Sequence, residues 1–340
     1  MRVKMLAAGL AGFALVGAGC KGGGGEAAVK VDTLQLAAFA PLPEVMTSQA
    51  NPITEPKIEL GRRLFFETQL SAGNTISCNN CHALSAFGAD TGAVSIGHRG
   101  KKGGRNSPTV YNAAGQIAQF WDGRAADVEA QALGPILNPV EMAMPATPAV
   151  LSRLKGNAEY RRLFAAAFPG ERNAMTFENL GRAVGAFERK LVTPSRWDRF
   201  LHGVDSALTP AEKEGFNTFT STGCQTCHTG AFVGGTMYQK AGLVRPWPDT
   251  TDVGREAITH QAADRMVFKV PSLRNIARTA PYFHNGGVRP LDTAVVWMAR
   301  QQLGRELNAQ QVGQIVSWLG SLTGQVPSAY VAPPQAAAPR

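Results

Sequence analysis

Hydrophobic residues along this 340-residue chain recur mainly at helical intervals. The spacing is clear over 58–65 and 180–191, partial over 151–168, and clear again over 295–303 and 312–322. Alternation of apolar and polar residues, which would indicate strands, never lasts more than a few positions. The pattern therefore predicts a mainly α fold.

Two helix starts carry specific signals. Thr209-Pro210-Ala211-Glu212 is a capping box with proline at the first helical position, so a helix is predicted to begin there and to lead towards Cys224. Glu55-Pro56 similarly opens the apolar pattern of 58–65, which leads towards Cys78.

One cysteine motif carries most of the chemistry. It occurs twice, as Cys78-Asn-Asn-Cys81-His82 and Cys224-Gln-Thr-Cys227-His228. C-x-x-C-H is the attachment sequence of c-type haem, in which each thiol adds across a vinyl group and the histidine ligates iron. Two zinc knuckles or a pair of disulfides are the alternative, but they would make both histidines coincidental. The motifs predict two covalent haem c groups, one in each half.

The first twenty residues predict export. Arg2 and Lys4 precede an apolar run from 5 to 18 that is too short to span a bilayer, so 1–19 is interpreted as a signal peptide. The run ends at Cys20 in a sequence similar to a bacterial lipobox, which favours lipidation and a membrane anchor at that cysteine. Simple cleavage near the glycine-rich stretch 22–25 is the alternative. Both routes predict the periplasm.

Composition and charge change this picture little. Hydrophobic residues make up 44% of the chain, and the formal net charge of +9 is neither interleaved with aromatics nor grouped on one helix, so nucleic-acid binding is not expected. We divide the mature chain into a tether (20–35), a first haem domain (36–195), a second haem domain (196–325) and a tail (326–340). The tail is rich in proline and alanine and is expected to be mobile.

Residues distant from the motifs decide what each iron does. Met298, on a predicted helix, is a candidate ligand opposite His228, and a thioether there would raise the reduction potential; core packing is the alternative. His98 stands among glycines, a flexible mount that would let it bind iron and leave; an exposed loop histidine is the alternative. Glu141 is a candidate to move the protons of a peroxide.

In order and spacing, these segments resemble the bacterial di-haem cytochrome c peroxidases, a family related to MauG. The similar region covers about residues 36–325, with the shared runs C-N-N-C-H, S-I-G-H, G-x-R-N-S-P-T, F-W-D-G-R-A, N-P-V-E-M, G-C-Q-T-C-H, V-P-S-L-R-N-I-A-x-T-A-P-Y-F-H-N-G and V-W-M. The resemblance implies two cytochrome c-like domains and the reduction of hydrogen peroxide to water.

The resemblance also implies a role for each residue around the first haem. The haem on His82 would be the low-potential, peroxidatic centre, and His98 matches the distal ligand that leaves when the other haem is reduced. Glu141 matches the acid–base carboxylate and Gln131 a distal amide. Trp121 matches the tryptophan between the haems, a role with which a buried core position is compatible.

For the second half, the resemblance implies a high-potential haem ligated by His228 and Met298. A calcium ion between the domains would be held by the Asn106 side chain and by the carbonyls of Thr279 and Pro281. The resemblance further implies a small external electron donor, either a cytochrome c or a cupredoxin, and a homodimer.

Three other functions fit parts of this pattern. A MauG-like enzyme that oxidises a protein tryptophan has tyrosine where this chain has Met298. A non-enzymatic di-haem electron carrier would need neither Glu141 nor His98. A peroxide sensor would use the same residues as the enzyme.

Overall fold

The computed structural model describes residues 29–334 and is mainly helical. The predicted signal peptide, Cys20 and the last six residues lie outside this range. In chain order, the helices α1 to α13 are Thr33–Leu36, Glu55–Phe65, Cys78–Cys81, Val128–Leu137, Thr147–Gly156, Ala158–Ala167, Phe177–Glu188, Arg196–Leu201, Pro210–Thr222, Glu256–Thr259, Leu291–Leu303, Ala309–Ser321 and Ser328–Val331. Two short strands, β1 (Tyr238–Lys240) and β2 (Val267–Lys269), pair antiparallel. Between residues 29 and 334, no helix combines the length and apolar character needed to cross a bilayer.

The predicted helix starts are confirmed. Thr209 Oγ1 accepts a hydrogen bond from Glu212 N at 3.3 Å, and Glu212 Oε2 accepts one from Thr209 N at 2.9 Å, so the capping box opens α9. Thr54 caps α2. The partial pattern over 151–168 is two helices rather than one, because Asn157 ends α5 and its side chain caps α6.

Helices α2, α4 and α7 surround the core of the first half. Leu60, Leu64, Leu180 and Phe187 are fully buried there, and each such side chain contributes about 1.5–3 kcal/mol relative to exposure. Helices α2 and α7 touch so closely that a Cβ at Gly61 would lie 1.9 Å from a backbone oxygen of α7. Only glycine permits this crossing.

Helices α9 and α12 form the core of the second half around Trp197, Phe216 and Trp318. Phe39 belongs to this core, since its ring lies 5.7 Å from Trp197 and 5.4 Å from Phe216. The start of the predicted first domain at residue 36 therefore differs from the packing, which places this early segment on the second half. The contact of Phe39 with the second core could not be predicted from the sequence, because hydrophobic periodicity identifies helices and not the distant partners of one aromatic residue.

The described part of the tail packs on the first half. The Tyr330 ring of α13 lies 5.5 Å from Phe187, and Arg62 Nη2 donates to Ala332 O at 2.9 Å. Tyr330 and Ala332 thus contact the first half, and the mobility expected of the tail from residue 326 stays a prediction.

Direct hydrogen bonds join the two halves. Lys269 N donates to Trp121 O at 2.7 Å, and Asn106 N donates to His284 O at 2.7 Å. Arg105 adds a charged link, since its guanidinium also contacts Asp252 at 2.6 Å. These bonds hold the haem motif of each half close to the other.

Candidate functional site

Each C-x-x-C-H motif opens into its own cavity. The first cavity, of about 590 Å³, is lined by Cys78, Cys81, His82, Gln131, Glu141 and Glu188, among others. The second cavity, of about 250 Å³, is lined by Cys224, Cys227, His228, Met298, Gln116 and Lys269, among others. Within residues 29–334, the four motif cysteines are free thiols.

Both motif histidines are oriented by backbone carbonyls. His82 Nδ1 lies 3.0 Å from Pro108 O, and His228 Nδ1 lies 3.3 Å from Val233 O. Burial lowers the pKa of His82 and lowers that of His228 to about 4, so both rings are neutral near pH 7. A neutral imidazole with Nδ1 engaged offers Nε2 to a metal, as haem ligation requires.

The first cavity contains a carboxyl group suited to proton transfer. Glu141 follows α4, and its Oε1 accepts a hydrogen bond from Asn138 Nδ2 at 2.7 Å. Burial raises the pKa of Glu141, while Arg124 and the Asn138 bond oppose that rise. A raised carboxyl pKa brings the group closer to the operating pH of an acid–base catalyst. Gln131, on α4, lines the same cavity.

The His98 loop is anchored to the backbone beside Glu141. His98 N donates to Glu141 O at 2.8 Å and to Val140 O at 2.9 Å. The imidazole lies near Gly73, 3.9 Å from where that residue's Cβ would stand, and it is not among the residues lining the first cavity. Ligation of iron by His98 stays a prediction.

Trp121 lies between the two cavities and lines both. Its indole Nε1 donates to Asn106 O at 2.9 Å, and its own carbonyl accepts from Lys269 N. The ring is 6.4 Å from that of His284, which stacks on Phe268 at 4.3 Å. An aromatic side chain thus lies in the wall that the two cavities share, and its role in electron transfer stays a prediction.

The residues of the predicted calcium site are partly assembled. Asn106 Nδ2 donates to Gly92 O at 3.2 Å and to Ala93 O at 3.3 Å, which directs its Oδ1 away from these carbonyls. Thr279 and Pro281 line the second cavity together with Asn106. In the described range, no three His, Cys, Asp or Glu side chains meet as a metal cage. An amide oxygen and two carbonyls would still suit a hard cation, so calcium stays a prediction.

Two buried ionisable residues line the cavities without having been predicted from the sequence. Lys269 faces the second cavity, donates to Gln116 Oε1, and has its pKa lowered to about 8 by burial. Glu188 faces the first cavity without a hydrogen bond or ion pair among the described residues, and burial raises its pKa to about 8. Lys269 lies within the apolar run 267–270 and Glu188 directly follows the apolar run 183–187, which is the signal that could have identified them.

These residues fit covalent haem. Each cavity has a thiol pair, an imidazole held through Nδ1 and largely apolar walls, and the first has the size of a small-molecule site, which spans about 300–1,000 Å³. Met298 of α11 faces the second cavity, where it would be the opposite ligand to His228. The first cavity has the carboxyl group of Glu141 instead, whose acid–base role stays a prediction.

Comparisons with known proteins agree with this geometry. Residues 55–206 match the family described as di-haem cytochrome c peroxidase. The cytochrome c551 peroxidase of Pseudomonas aeruginosa is 44% identical over 299 residues, covering 86% of each chain. That of Nitrosomonas europaea is 46% identical over 272 residues, covering 79% of this chain and 80% of the relative.

A solved structure supports the fold. A MauG-like protein associated with microbial copper homeostasis is 28% identical and superposes with a TM-score of 0.76, over 86% of this chain and 97% of its own. The identity to the peroxidases is higher and extends across both haem motifs. The chain belongs to the di-haem cytochrome c peroxidase family.

Proposed function

We propose that this protein is a periplasmic di-haem cytochrome c peroxidase, which reduces hydrogen peroxide to water with electrons from a small redox protein. Two cytochrome c-like domains would each carry one covalent haem. The observation that supports this most is the inequality of the two cavities on either side of Trp121. The first has Glu141 and Gln131, whereas the second has Met298.

The first cavity is the proposed site of peroxide reduction. Haem bound there supplies the iron at which the O–O bond is broken. Glu141 would take the proton from the inner peroxide oxygen and deliver it to the outer one, which then leaves as water. Gln131 would orient the substrate through its amide. Two electrons and two protons convert one peroxide into two waters.

The second cavity is the proposed point of electron entry. His228 and Met298 would hold the iron of a haem bound there, so that peroxide would not bind to it, and thioether ligation would favour the reduced state. Trp121, in contact with both cavities, would carry electrons to the first cavity.

His98 is the proposed switch of the first cavity. Its loop includes Arg99 with φ of 55° and Gly100 with φ of 75°, so the backbone there already uses the left-handed region. Movement of this loop would bring the imidazole into the cavity or withdraw it. Because His98 N donates a hydrogen bond to Glu141 O, movement of the loop would also shift the backbone that positions the proposed catalytic carboxylate.

Other parts of the proposal rest on the sequence. Calcium would bind at Asn106, Thr279 and Pro281, and the mature protein would form a homodimer. Export would follow cleavage of the signal peptide, with lipidation of Cys20 anchoring the protein to a membrane.

The MauG-like alternative is less well supported. The chain is 44% and 46% identical to proteins named as peroxidases, against 34% to the MauG protein of Paracoccus denitrificans and 28% to the MauG-like structure. Met298 also stands where tryptophan-oxidising relatives have tyrosine. A plain electron carrier would leave the buried carboxyl at Glu141 without a use.

Peroxide consumption by the holoprotein tests the proposal. With a reduced small cytochrome c, we expect peroxide to disappear with two donor molecules oxidised per peroxide. Oxidation of the cytochrome without loss of peroxide would support a non-enzymatic electron carrier. If peroxide is consumed neither with the cytochrome nor with a small dye as electron donor, the peroxidase proposal is contradicted.

A further inference from the structure

An apolar patch with a basic rim lies beside the second cavity. Leu243 and Val244 are neighbours in sequence and expose 55% and 57% of their surface. Exposed apolar surface rimmed by polar residues marks interaction sites. The rim consists of exposed cations, and we call the six residues the docking patch: Leu243, Val244, Lys240, Arg245, Arg300 and Arg305.

The docking patch is held rigidly on α11. Gln301 O accepts hydrogen bonds from Val244 N at 3.0 Å and Arg245 N at 3.1 Å. Gln302 Oε1 accepts from Leu243 N at 3.1 Å. The two aliphatic side chains are therefore exposed by a fixed backbone, which lowers the ordering cost of binding a partner.

Helix α11 connects the patch to the cofactor site. Gln302 and Leu303 line the second cavity, and Met298 stands on the same helix. A Cβ at Gly223 would lie 4.0 Å from Leu303 Cδ2, and the next residue is Cys224, a predicted haem attachment point. A protein bound to the patch would thus be separated from the second cavity by the residues of α11 that line it.

The charge of the rim selects the partner. Glu306 accepts from Arg245 at 2.9 Å and from Arg300 at 2.7 Å, so one carboxylate pairs with two of the four cations. Three positive charges stay unbalanced. A partner with an acidic rim would be steered to this face, and its association rate would fall with salt.

Resting on the proposed function, we propose that the docking patch receives a small redox protein whose electron-transfer face has an apolar centre and an acidic rim. In each encounter the donor would lose one electron to the haem that Cys224 and Cys227 would hold. The aliphatic pair supplies contact area, and the cations set orientation and rate.

Kinetics with two protein donors test this proposal on the holoprotein. The probes are plastocyanin, an acidic cupredoxin, and mitochondrial cytochrome c, which is basic. We expect Leu243→Ser with Val244→Ser, and separately Arg245→Glu, to raise KM for plastocyanin on the order of tenfold. Ile258→Ser and Arg172→Glu are the matched controls, an exposed aliphatic and an exposed cation outside the patch. They should leave KM unchanged, and mitochondrial cytochrome c should be the poorer donor for the wild type.

A small dye donor separates this proposal from the proposed function. ABTS needs no docking surface, so patch variants should oxidise it with peroxide at the wild-type rate. If ABTS turnover is normal and the patch variants have the wild-type KM for plastocyanin, the proposal that the donor binds at the docking patch is wrong. Equal loss in Arg172→Glu would also overturn it, because general charge would then explain the effect. If the wild type turns over neither donor, the peroxidase proposal itself fails.

Discussion

Asn106 O accepts the hydrogen bond of Trp121 Nε1 at 2.9 Å. The same residue offers its side-chain oxygen to the proposed calcium ion, since its Nδ2 is engaged by the carbonyls of Gly92 and Ala93. One asparagine thus connects the proposed ion to the aromatic ring between the cavities. The bond to Trp121 uses the backbone, so the two roles can be separated by mutation.

Asn106→Ala should remove a calcium ligand while keeping the bond to Trp121. We expect calcium affinity to fall on the order of tenfold, or about 1.4 kcal/mol. Titration calorimetry on the chelated holoprotein measures this change. Asn173→Ala, at an exposed position, is the control and should bind calcium as the wild type does. Unchanged affinity in Asn106→Ala would remove the residue from the site.

Trp121→Leu should slow electron transfer between the haems. Removing the ring takes away the aromatic contact that lines both cavities. We expect the rate to fall at least on the order of tenfold, about 1.4 kcal/mol on the barrier. Stopped-flow reoxidation of the half-reduced protein by peroxide reports this rate. An unaltered rate with both haems attached would show that electrons take another path.

Glu141→Gln should abolish most turnover while both haems remain attached. Loss of a positioned acid–base group costs about 10²–10⁴-fold in rate. The raised pKa of Glu141 also predicts that wild-type turnover falls as pH drops through that pKa, because the carboxylate form accepts the proton. The acidic limb of the pH profile should be missing from the residual activity of the variant. Wild-type turnover in Glu141→Gln would exclude the role.

Glu188→Gln should stabilise the protein above neutral pH. The folded-state pKa of Glu188 is raised to about 8, so the folded protein holds a proton that the unfolded chain has lost. Its free energy of unfolding should then fall by about 1.4 kcal/mol per pH unit between roughly pH 5 and 8. Denaturant unfolding at pH 5 and at pH 8 measures this change in the free energy of unfolding. Glu178 is exposed on the same helix, so Glu178→Gln should keep the wild-type dependence of unfolding free energy on pH, whereas Glu188→Gln should lose it.

Lys269→Met should lower the reduction potential of the second haem. The ammonium group is buried in that cavity, and its positive charge favours the reduced iron. Removing one charge should shift the potential downward by on the order of tens of millivolts. Spectroelectrochemical titration at pH 6, where Lys269 is protonated, measures the shift. Lys240→Met, at an exposed position, should change it far less.

Local sequence signals predicted the parts of the fold that depend on neighbouring residues. The capping box at Thr209 is a short pattern that opens α9 as predicted, and each C-x-x-C-H motif, also a short pattern, lines a cavity. Lys269 beside Gln116, and Phe39 in the second core, depend on contacts between distant segments. Nothing in their immediate neighbours specifies such partners, so they became visible only in the folded chain.

We propose that one cavity receives electrons while the other reduces peroxide. Adding one electron per holoprotein and recording its spectrum before and after peroxide tests it most directly. We predict that the second haem is reduced first, that the first iron becomes five-coordinate, and that added peroxide then turns over with a reduced donor. Two irons that stay six-coordinate, with no turnover of peroxide, would contradict the account.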